Sequence, residues 1–474
     1  MSLFRWQKNK LKMGRITLFK VRHSHGKFIY YVCNVPVWIS RTELSILIED
    51  IHNNKKFDMR EFDHRVECLM PQINLQQICT NPHRTAILAT ELYDMGGHTK
   101  CLRDIVSLLS SNYSQTLFLT QGSISIQNAQ NTMENIEKYA TISIENIRYI
   151  EFKNDITKFF YKIYTFNPKV IFVFIHPDDV YGCLLLAMIK KYTNIKIFYC
   201  PHASHCPNLG VSFADLSLEG MPVTAYITQK FRKFKKTHVS GIASKRLHDF
   251  PVFTLESVMA KRRELGIQEN ELCTMSGGAA YKFFDAAGSE YFLMIRELLK
   301  RNPQVKHIVI SDFSREQKKI ISHIFSDFDD AFRLVILPVN SQYELLFSCA
   351  DVFIDSFPVS SALTMIDLMR LKVPAVVKIN RQNSLWSFHE YQRSDYPYMF
   401  ETVEEVLEGV EKLLASPEER KRIAETNYRY YLEKYEGEAC KEHLVDLVEH
   451  AENLETYYDA PIPDGNYQFE GMAL

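Results

Sequence analysis

A chain of 474 residues exceeds one ordinary domain, and its length favours two to four folding units. Hydrophobic residues make up 46% and charged residues 24%, a balance that excludes a disordered polar chain and predicts that most of the sequence folds. Fifty-six Lys and Arg against fifty-seven Asp and Glu leave a formal charge of −1, which removes any global basic field for nucleic acid or an anionic membrane.

In chain order, Ile16 to Val21 and Phe28 to Val32 read as strands, and Thr42 to His52 as a helix with Leu44, Leu47, Ile48 and Ile51 at helical spacing. Residues 1–80 therefore read as a small accessory α+β module. From Thr85 short apolar runs alternate with amphipathic helices. Strands are expected at Thr85 to Ala89, Thr116 to Thr120, Ile147 to Ile150, Val170 to Ile175, Ile195 to Tyr199 and Val223 to Ile227. Helices are expected from Thr99, at Ile156 to Tyr164 and at Val180 to Tyr192. The pattern lapses between Ser240 and Thr254 and then restarts. Strands at Leu272 to Met275, His307 to Ile310, Leu334 to Leu337, Val352 to Ile354 and Ala375 to Val377 alternate with helices at Ala286 to Leu299, Glu316 to Ile324, Gln342 to Ser348 and Leu363 to Leu371. Such alternation predicts two doubly wound parallel sheets, over residues 81–250 and 251–435, facing a cleft in which ligands bind. Helices at Thr402 to Leu414 and Pro417 to Tyr435 follow, and residues 436–474 read as a C-terminal helix and a loose tail.

The ten cysteines are scattered without a CxxC, so they are expected to be reduced. No apolar core of a signal peptide follows the basic start, and the apolar run Val170 to Ile189 is broken by His176, Asp178 and Asp179. The expectation is a cytoplasmic protein. One basic cluster, Lys230, Arg232, Lys233, Lys235 and Lys236 interleaved with Phe231 and Phe234, reads either as a solvated face or as a peripheral membrane contact.

Four loops carry candidate chemistry. Asp94-Met95-Gly96-Gly97-His98-Thr99-Lys100 follows the first strand of the first wound domain and opens a helix. Its glycines allow close backbone approach, its helix start offers amide donors, and His98 would project into the cleft, with Asp94 and Gly97 in the same loop. A tight turn with an incidental His is the plainer account. Met275-Ser276-Gly277-Gly278-Ala279-Ala280-Tyr281-Lys282 occupies the matching junction of the second domain. It lacks the Walker spacing, yet Gly277, Gly278 and Lys282 suit a diphosphate. Ser360-Ser361-Ala362-Leu363-Thr364-Met365-Ile366-Asp367 places hydroxyls at a helix start and a carboxylate one turn on, an arrangement that suits an anion and ribose hydroxyls. Cys200-Pro201-His202-Ala203-Ser204-His205-Cys206 is too cramped for a structural zinc site and leaves His202 and His205 as acceptor-side or phosphate contacts, or as loop packing.

These loops, in this order, resemble a GT-B glycosyltransferase over residues 85–435, with two Rossmann-like domains, a Gly-Gly-His-Thr loop in the first and a nucleotide-sugar site in the second. The C-terminal half resembles most closely the O-linked N-acetylglucosamine transferase and bacterial protein N-glycosyltransferase group. That resemblance implies a lysine on the donor diphosphate at Lys282 and a base-binding turn at Pro338, Val339 and Asn340. It also implies a hydroxyl-bearing helix start at Ser361 and Thr364, with Asp367 holding the ribose. Two departures matter. The group's His-Thr-Thr is Ala362-Leu363-Thr364 in this chain, and the Glu-x7-Glu pair of retaining relatives falls on Val359 and Asp367. The missing first Glu favours inversion. The resemblance thus implies an inverting, metal-independent transferase without a cofactor, moving a sugar from a nucleotide diphosphate, UDP, to a glycan, lipid-linked or protein acceptor, with His98 as the base that takes the acceptor's proton, His202 and Asp94 as reserves for that role, and Asp94, Gly97, His202 and His205 as sugar or acceptor contacts. Two alternatives stay open: a catalytically silent GT-B subunit that stabilises a partner transferase, and a sugar-nucleotide epimerase.

Overall fold

The computed structural model describes residues 4–469 except 8–9, 14–15, 25–26, 33–34, 41–42, 55, 77, 95, 123–124, 127–128, 146, 148–150, 202–205, 235, 243, 286–287, 388–395 and 455–466; for 4–40 it describes the backbone alone. The expected strand at Ile147 to Ile150 falls largely outside these residues.

The chain opens with an antiparallel sheet of β1 (Phe4–Gln7), β2 (Lys10–Met13), β3 (Ile16–Ser24), β4 (Lys27–Val32) and β5 (Val35–Ser40), paired in sequence order. A parallel sheet follows, built from β6 (Asn81–Ala89), β7 (Ser114–Leu119), β8 (Thr141–Ile144), β9 (Pro168–Phe174), β10 (Lys196–Tyr199), β11 (Leu216–Glu219) and β12 (Thr237–Val239) in the order β12-β11-β10-β9-β6-β7-β8. Its helices are α1 (Glu43–Asn53), α2 (Arg60–Glu67), α3 (Gly97–Leu109), α4 (Gln130–Ile136), α5 (Phe152–Phe166), α6 (Val180–Tyr192) and α7 (Pro222–Lys230). Strands covered on both faces need apolar side chains at every position, and Val170 to Ile175 are accordingly all buried.

The second parallel sheet has β13 (Leu272–Gly277), β14 (Val305–Ile310), β15 (Leu334–Leu337), β16 (Val352–Ile354), β17 (Ala375–Lys378) and β18 (Met399–Phe400) in the order β15-β14-β13-β16-β17-β18. Around it lie α8 (Leu255–Glu264), α9 (Glu290–Arg301), α10 (Arg315–Ile324), α11 (Tyr343–Phe347), α12 (Ala362–Arg370), α13 (Val403–Ala415) and α14 (Pro417–Lys434), and α15 (Gly437–Glu449) ends the helical part. Capping boxes at Ser314 with Gln317 and at Thr402 with Glu405 start α10 and α13.

The structure departs from the sequence expectations at several places: the opening antiparallel sheet has five strands rather than two, and the strand after β7 is Thr141–Ile144, upstream of Ile147 to Ile150. Val223 to Ile227 is helical, because Pro222 at the first helical position presets the turn, and the strand lies upstream at Leu216–Glu219. Leu44, Leu47, Ile51, Met59 and Val66 of α1 and α2 pack in one cluster with the first parallel sheet, so residues 43–69 share its core. Leu444, Leu447 and Val448 of α15 join the cluster on that sheet's other face, so the chain returns to its first half at the end. Among the described residues no helix is long and apolar enough to cross a membrane.

Arg232 takes no part in a basic surface. It is fully buried, donating to Cys206 O at 2.7 Å and Thr228 Oγ1 at 3.0 Å. Phe234 is also buried and Lys236 gives its ammonium to the Leu454 carbonyl, so the turn serves packing. Lys230 and Lys233 stay exposed, and Lys235 lies outside the described residues.

Candidate active site

Strand order sets the site. In the first sheet the chain leaves β6 towards β7 and β8, then returns to the other side through β9, so the crevice opens between the carboxyl ends of β6 and β9. In the second it opens between β13 and β16 for the same reason.

At the first switch point, Gly96 has φ 143°, a conformation that favours glycine, and Gly97 begins α3. A Cβ on Gly97 would stand 2.4 Å from Leu363 Cδ1, so the glycine lets α3 and α12 meet across the cleft. His98 Nε2 lies 3.0 Å from the Phe174 carbonyl. A carbonyl only accepts, which puts the hydrogen on Nε2 and makes Nδ1 the basic nitrogen. Burial lowers the imidazole to about 4; the carbonyl opposes this and nearby His176 adds to it. Sequence reasoning missed two neighbours. His176, at the end of β9, lies 6.1 Å from His98 between ring centroids, and its Nδ1 is 3.7 Å from Glu91 Oε1 at the end of β6. Tyr93 donates its hydroxyl to the same Glu91 oxygen. Only the strand order could have signalled them. Asp94 faces elsewhere: its oxygens take Thr132 N at 3.0 Å and Asn131 Nδ2 at 3.2 Å, securing the first turn of α4. His202 and His205 lie outside the described residues.

At the second switch point the hub is Asp355, part of the Asp351 to Pro358 run that leads into the Ser360 loop, whose carboxylate the sequence reading left without a role. The carboxylate, 1% exposed, accepts Ser356 N at 2.9 Å, Ser361 N at 3.0 Å and the Ser360 hydroxyl. Burial raises it to about 6, against the Ser360 hydroxyl, the Ser361 amide and the Lys282 charge. Lys282 donates to Ser360 O at 2.7 Å, and burial lowers its pKa while Asp355 partly restores it. A Cβ on Gly278 would come within 2.3 Å of Ser361 Oγ and one on Gly277 within 2.7 Å of the Phe347 ring, so the start of α12 and the end of α11 together require the small Gly277-Gly278 turn. Gly278, Lys282 and Ser361 thus converge, and Thr364 lies half-buried in the first turn of α12. Val339 and Asn340 sit apart at the end of edge strand β15, where Val339 N donates to Asp312 at 3.2 Å and Asn340 Oδ1 accepts Gln342 N at 2.9 Å.

Asp367 is engaged across the cleft. Lys100 Nζ, on α3, meets its two oxygens at 2.7 and 2.9 Å, with side-chain exposures of 18% and 6%. Burial opposes the ammonium charge, but Asp367 overrides it and holds the pKa above the ordinary value. Arg370 continues this interface, 2.5 Å from Glu344 and stacked 3.7 Å over Phe250 of the linker. Residues 467–469 close the far side. Gln468 exchanges hydrogen bonds with Ser384 at 2.8 and 3.0 Å, and Phe469 stacks on Tyr226 of α7 at 6.2 Å. The turn so held presents Trp386 O to Ser360 N at 2.7 Å.

No protein-family model matches the sequence, and no curated protein does. Solved structures do match by shape. HepE from Anabaena, in complex with UDP and glucose, aligns with a TM-score of 0.61 at 13% identity over 77% of this chain and 100% of its own. A glycosyltransferase from Rickettsia africae gives 0.61 at 11% over 78% and 98%, and an O-GlcNAc transferase mutant from Thermobaculum terrenum 0.51 at 10% over 85% and 77%. At such identities the likeness speaks to the fold alone, and the chain has the two-domain, Rossmann-like GT-B fold.

Proposed function

We propose that the chain is an inverting glycosyltransferase using a UDP-sugar. The reading is carried by the convergence of Gly278, Lys282 and Ser361 at the second switch point, opposite His98 at the first. UDP in the HepE structure supports the donor class. The diphosphate lies on the α12 amides, Ser361, Thr364 and the Lys282 ammonium, which offset the charge that develops on the leaving group. The base lies at Val339 and Asn340, and Asp367 takes the ribose hydroxyls. His98 accepts the acceptor's proton through Nδ1 as the hydroxyl attacks from the first domain, with inversion at the anomeric carbon.

Calorimetry with UDP tests the reading. Lys282→Ala is expected to weaken UDP by about 10- to 100-fold, the loss of one charge-assisted phosphate contact of roughly 1.5–3 kcal/mol. Equal affinity in wild type and variant removes Lys282 from the site.

His98→Ala is expected to lower turnover by roughly 100-fold or more. A base works only when deprotonated, so with an imidazole near 4 the acid limb of kcat/KM falls close to pH 4 rather than at an ordinary histidine's 6.5. An acid limb that survives in His98→Ala and vanishes in His176→Ala transfers the role to His176.

Turnover is expected to persist in EDTA, since amides, Lys282 and the helix dipole meet the diphosphate. Loss in EDTA restored by Mn²⁺ contradicts this.

The Lys100–Asp367 pair favours a second reading, a catalytically silent GT-B subunit that stabilises a partner transferase, because it occupies the carboxylate that a ribose needs. Absence of UDP binding in wild type supports that reading.

A further inference from the structure

Beside His98 lies a pocket of about 260 Å³, partly open to solvent and walled by α3, the ends of β9 and β11, the linker, the start of α12 and the returning helix α15. Ile105, Phe174, Leu218, Met221, Leu363 and Leu444 supply much of its wall, and among the described residues no Asp, Glu, Lys or Arg lines it. Its three lining thiols, Cys101, Cys200 and Cys440, are pushed up by burial and stay protonated, so they behave as small apolar groups.

The polar side chains of the described wall are engaged with protein, which leaves the backbone amides at the starts of α3 and α12 as its donors. Thr224 donates its hydroxyl to Met221 O at 2.9 Å, and Ser240 points its own at Glu219 O and Gly241 O. His443 Nε2 meets His238 Nε2 at 3.3 Å, and His98 gives Nε2–H to Phe174 O. A sugar ring pressed against the apolar side of this wall would find few side-chain partners for its hydroxyls, whereas a hydrocarbon face loses nothing there. A dry apolar cavity of about 150 Å³ accepts benzene, and ligand pockets start near 300 Å³, so this volume matches one bicyclic aromatic or a branched hydrocarbon.

We propose that the cavity receives an apolar, ring-bearing group of the acceptor, so that the substrate carries its reactive hydroxyl on or beside a hydrocarbon framework rather than on a free sugar. The inference rests on the transferase reading for the word acceptor, and on the cavity for its chemistry. Because His98 lines the wall, a hydroxyl on such a group is brought beside the imidazole. A phenolic hydroxyl, more acidic than a sugar's, also matches a base of lowered pKa.

The full chain titrated with 2-naphthol, and separately with UDP, tests it. Wild type is expected to bind 2-naphthol below about 1 mM, and methyl glucoside should neither bind nor displace it. Cys101→Phe and Leu218→Trp, which fill the cavity, should each weaken 2-naphthol by roughly tenfold or more while leaving UDP affinity unchanged. If either variant misfolds, the methyl resonance of Met221, assigned with Met221→Leu, supplies the same answer in wild type by shifting on addition of 2-naphthol. UDP binding without 2-naphthol binding overturns the inference and leaves the transferase reading standing. Naphthol binding that both filled variants and the Met221 methyl ignore places the ligand elsewhere and overturns it too. Naphthol binding in the cavity without UDP binding supports the cavity's chemistry and sinks the transferase reading.

Discussion

Asp355→Ala is expected to cost on the order of 3–5 kcal/mol of stability and to abolish UDP binding together with it. The carboxylate is the shared acceptor for the Ser356 and Ser361 amides and the Ser360 hydroxyl, all buried, and alanine leaves each donor without a partner. Ser360 also carries the carbonyl that holds Lys282, so the loop and the cation are released as one. Asp355→Asn separates fold from charge. Because the native carboxyl is raised from 3.8 to about 6, the folded state holds its proton more tightly than the unfolded chain. The group's contribution is therefore greatest at or below pH 4 and declines as pH rises to 6, a span of about 3 kcal/mol. Asparagine has no such titration, so its destabilisation relative to wild type should be larger at pH 4.5 than at pH 7 in urea denaturation. Equal differences at the two pH values would falsify the raised carboxyl.

How much of this was legible in the sequence follows from the range of the interactions involved. The wound sheets were, because strands covered on both faces write continuous apolar runs such as Ile171 to Ile175 and Ile308 to Ile310. The run Val223 to Ile227 carries the same apolar residues yet forms a helix, and Pro222 was the local sign that outweighs β-branched composition. The loops of Gly97, Gly278, Lys282 and Ser361 were legible as strand-to-helix junctions with small or hydroxyl side chains. Their mutual contact was not. Glu91 and His176 became site residues only once β6 and β9 proved to be neighbours, a pairing across more than eighty residues that no local pattern encodes. Arg232 and Asp367 show the same limit for charge: a basic run reads as a surface and a helix carboxylate as free, until tertiary packing buries one and pairs the other.

Lys100→Met should separate the two functional readings, with an effect large enough to see by melting alone. Lys100 and Asp367 are 267 positions apart and join the two domains through a pair that is 18% and 6% exposed. Removing the lysine strands a buried carboxylate, at a cost of roughly 3–5 kcal/mol, whereas Lys100→Met with Asp367→Leu removes both charges and should recover most of it. UDP then reports what Asp367 is for. In wild type a ribose reaches Asp367 only by displacing Lys100, so the single variant, with its carboxylate already unpaired, should bind UDP roughly tenfold or more tightly and regain stability as UDP is added. The double variant should not. A single variant that binds UDP more weakly than wild type would mean that Lys100 itself meets the phosphates and that Asp367 serves only to hold it. If neither form binds UDP and both melt as the ion-pair argument requires, the pair is a structural tie across a closed cleft, and the silent-subunit reading replaces the transferase.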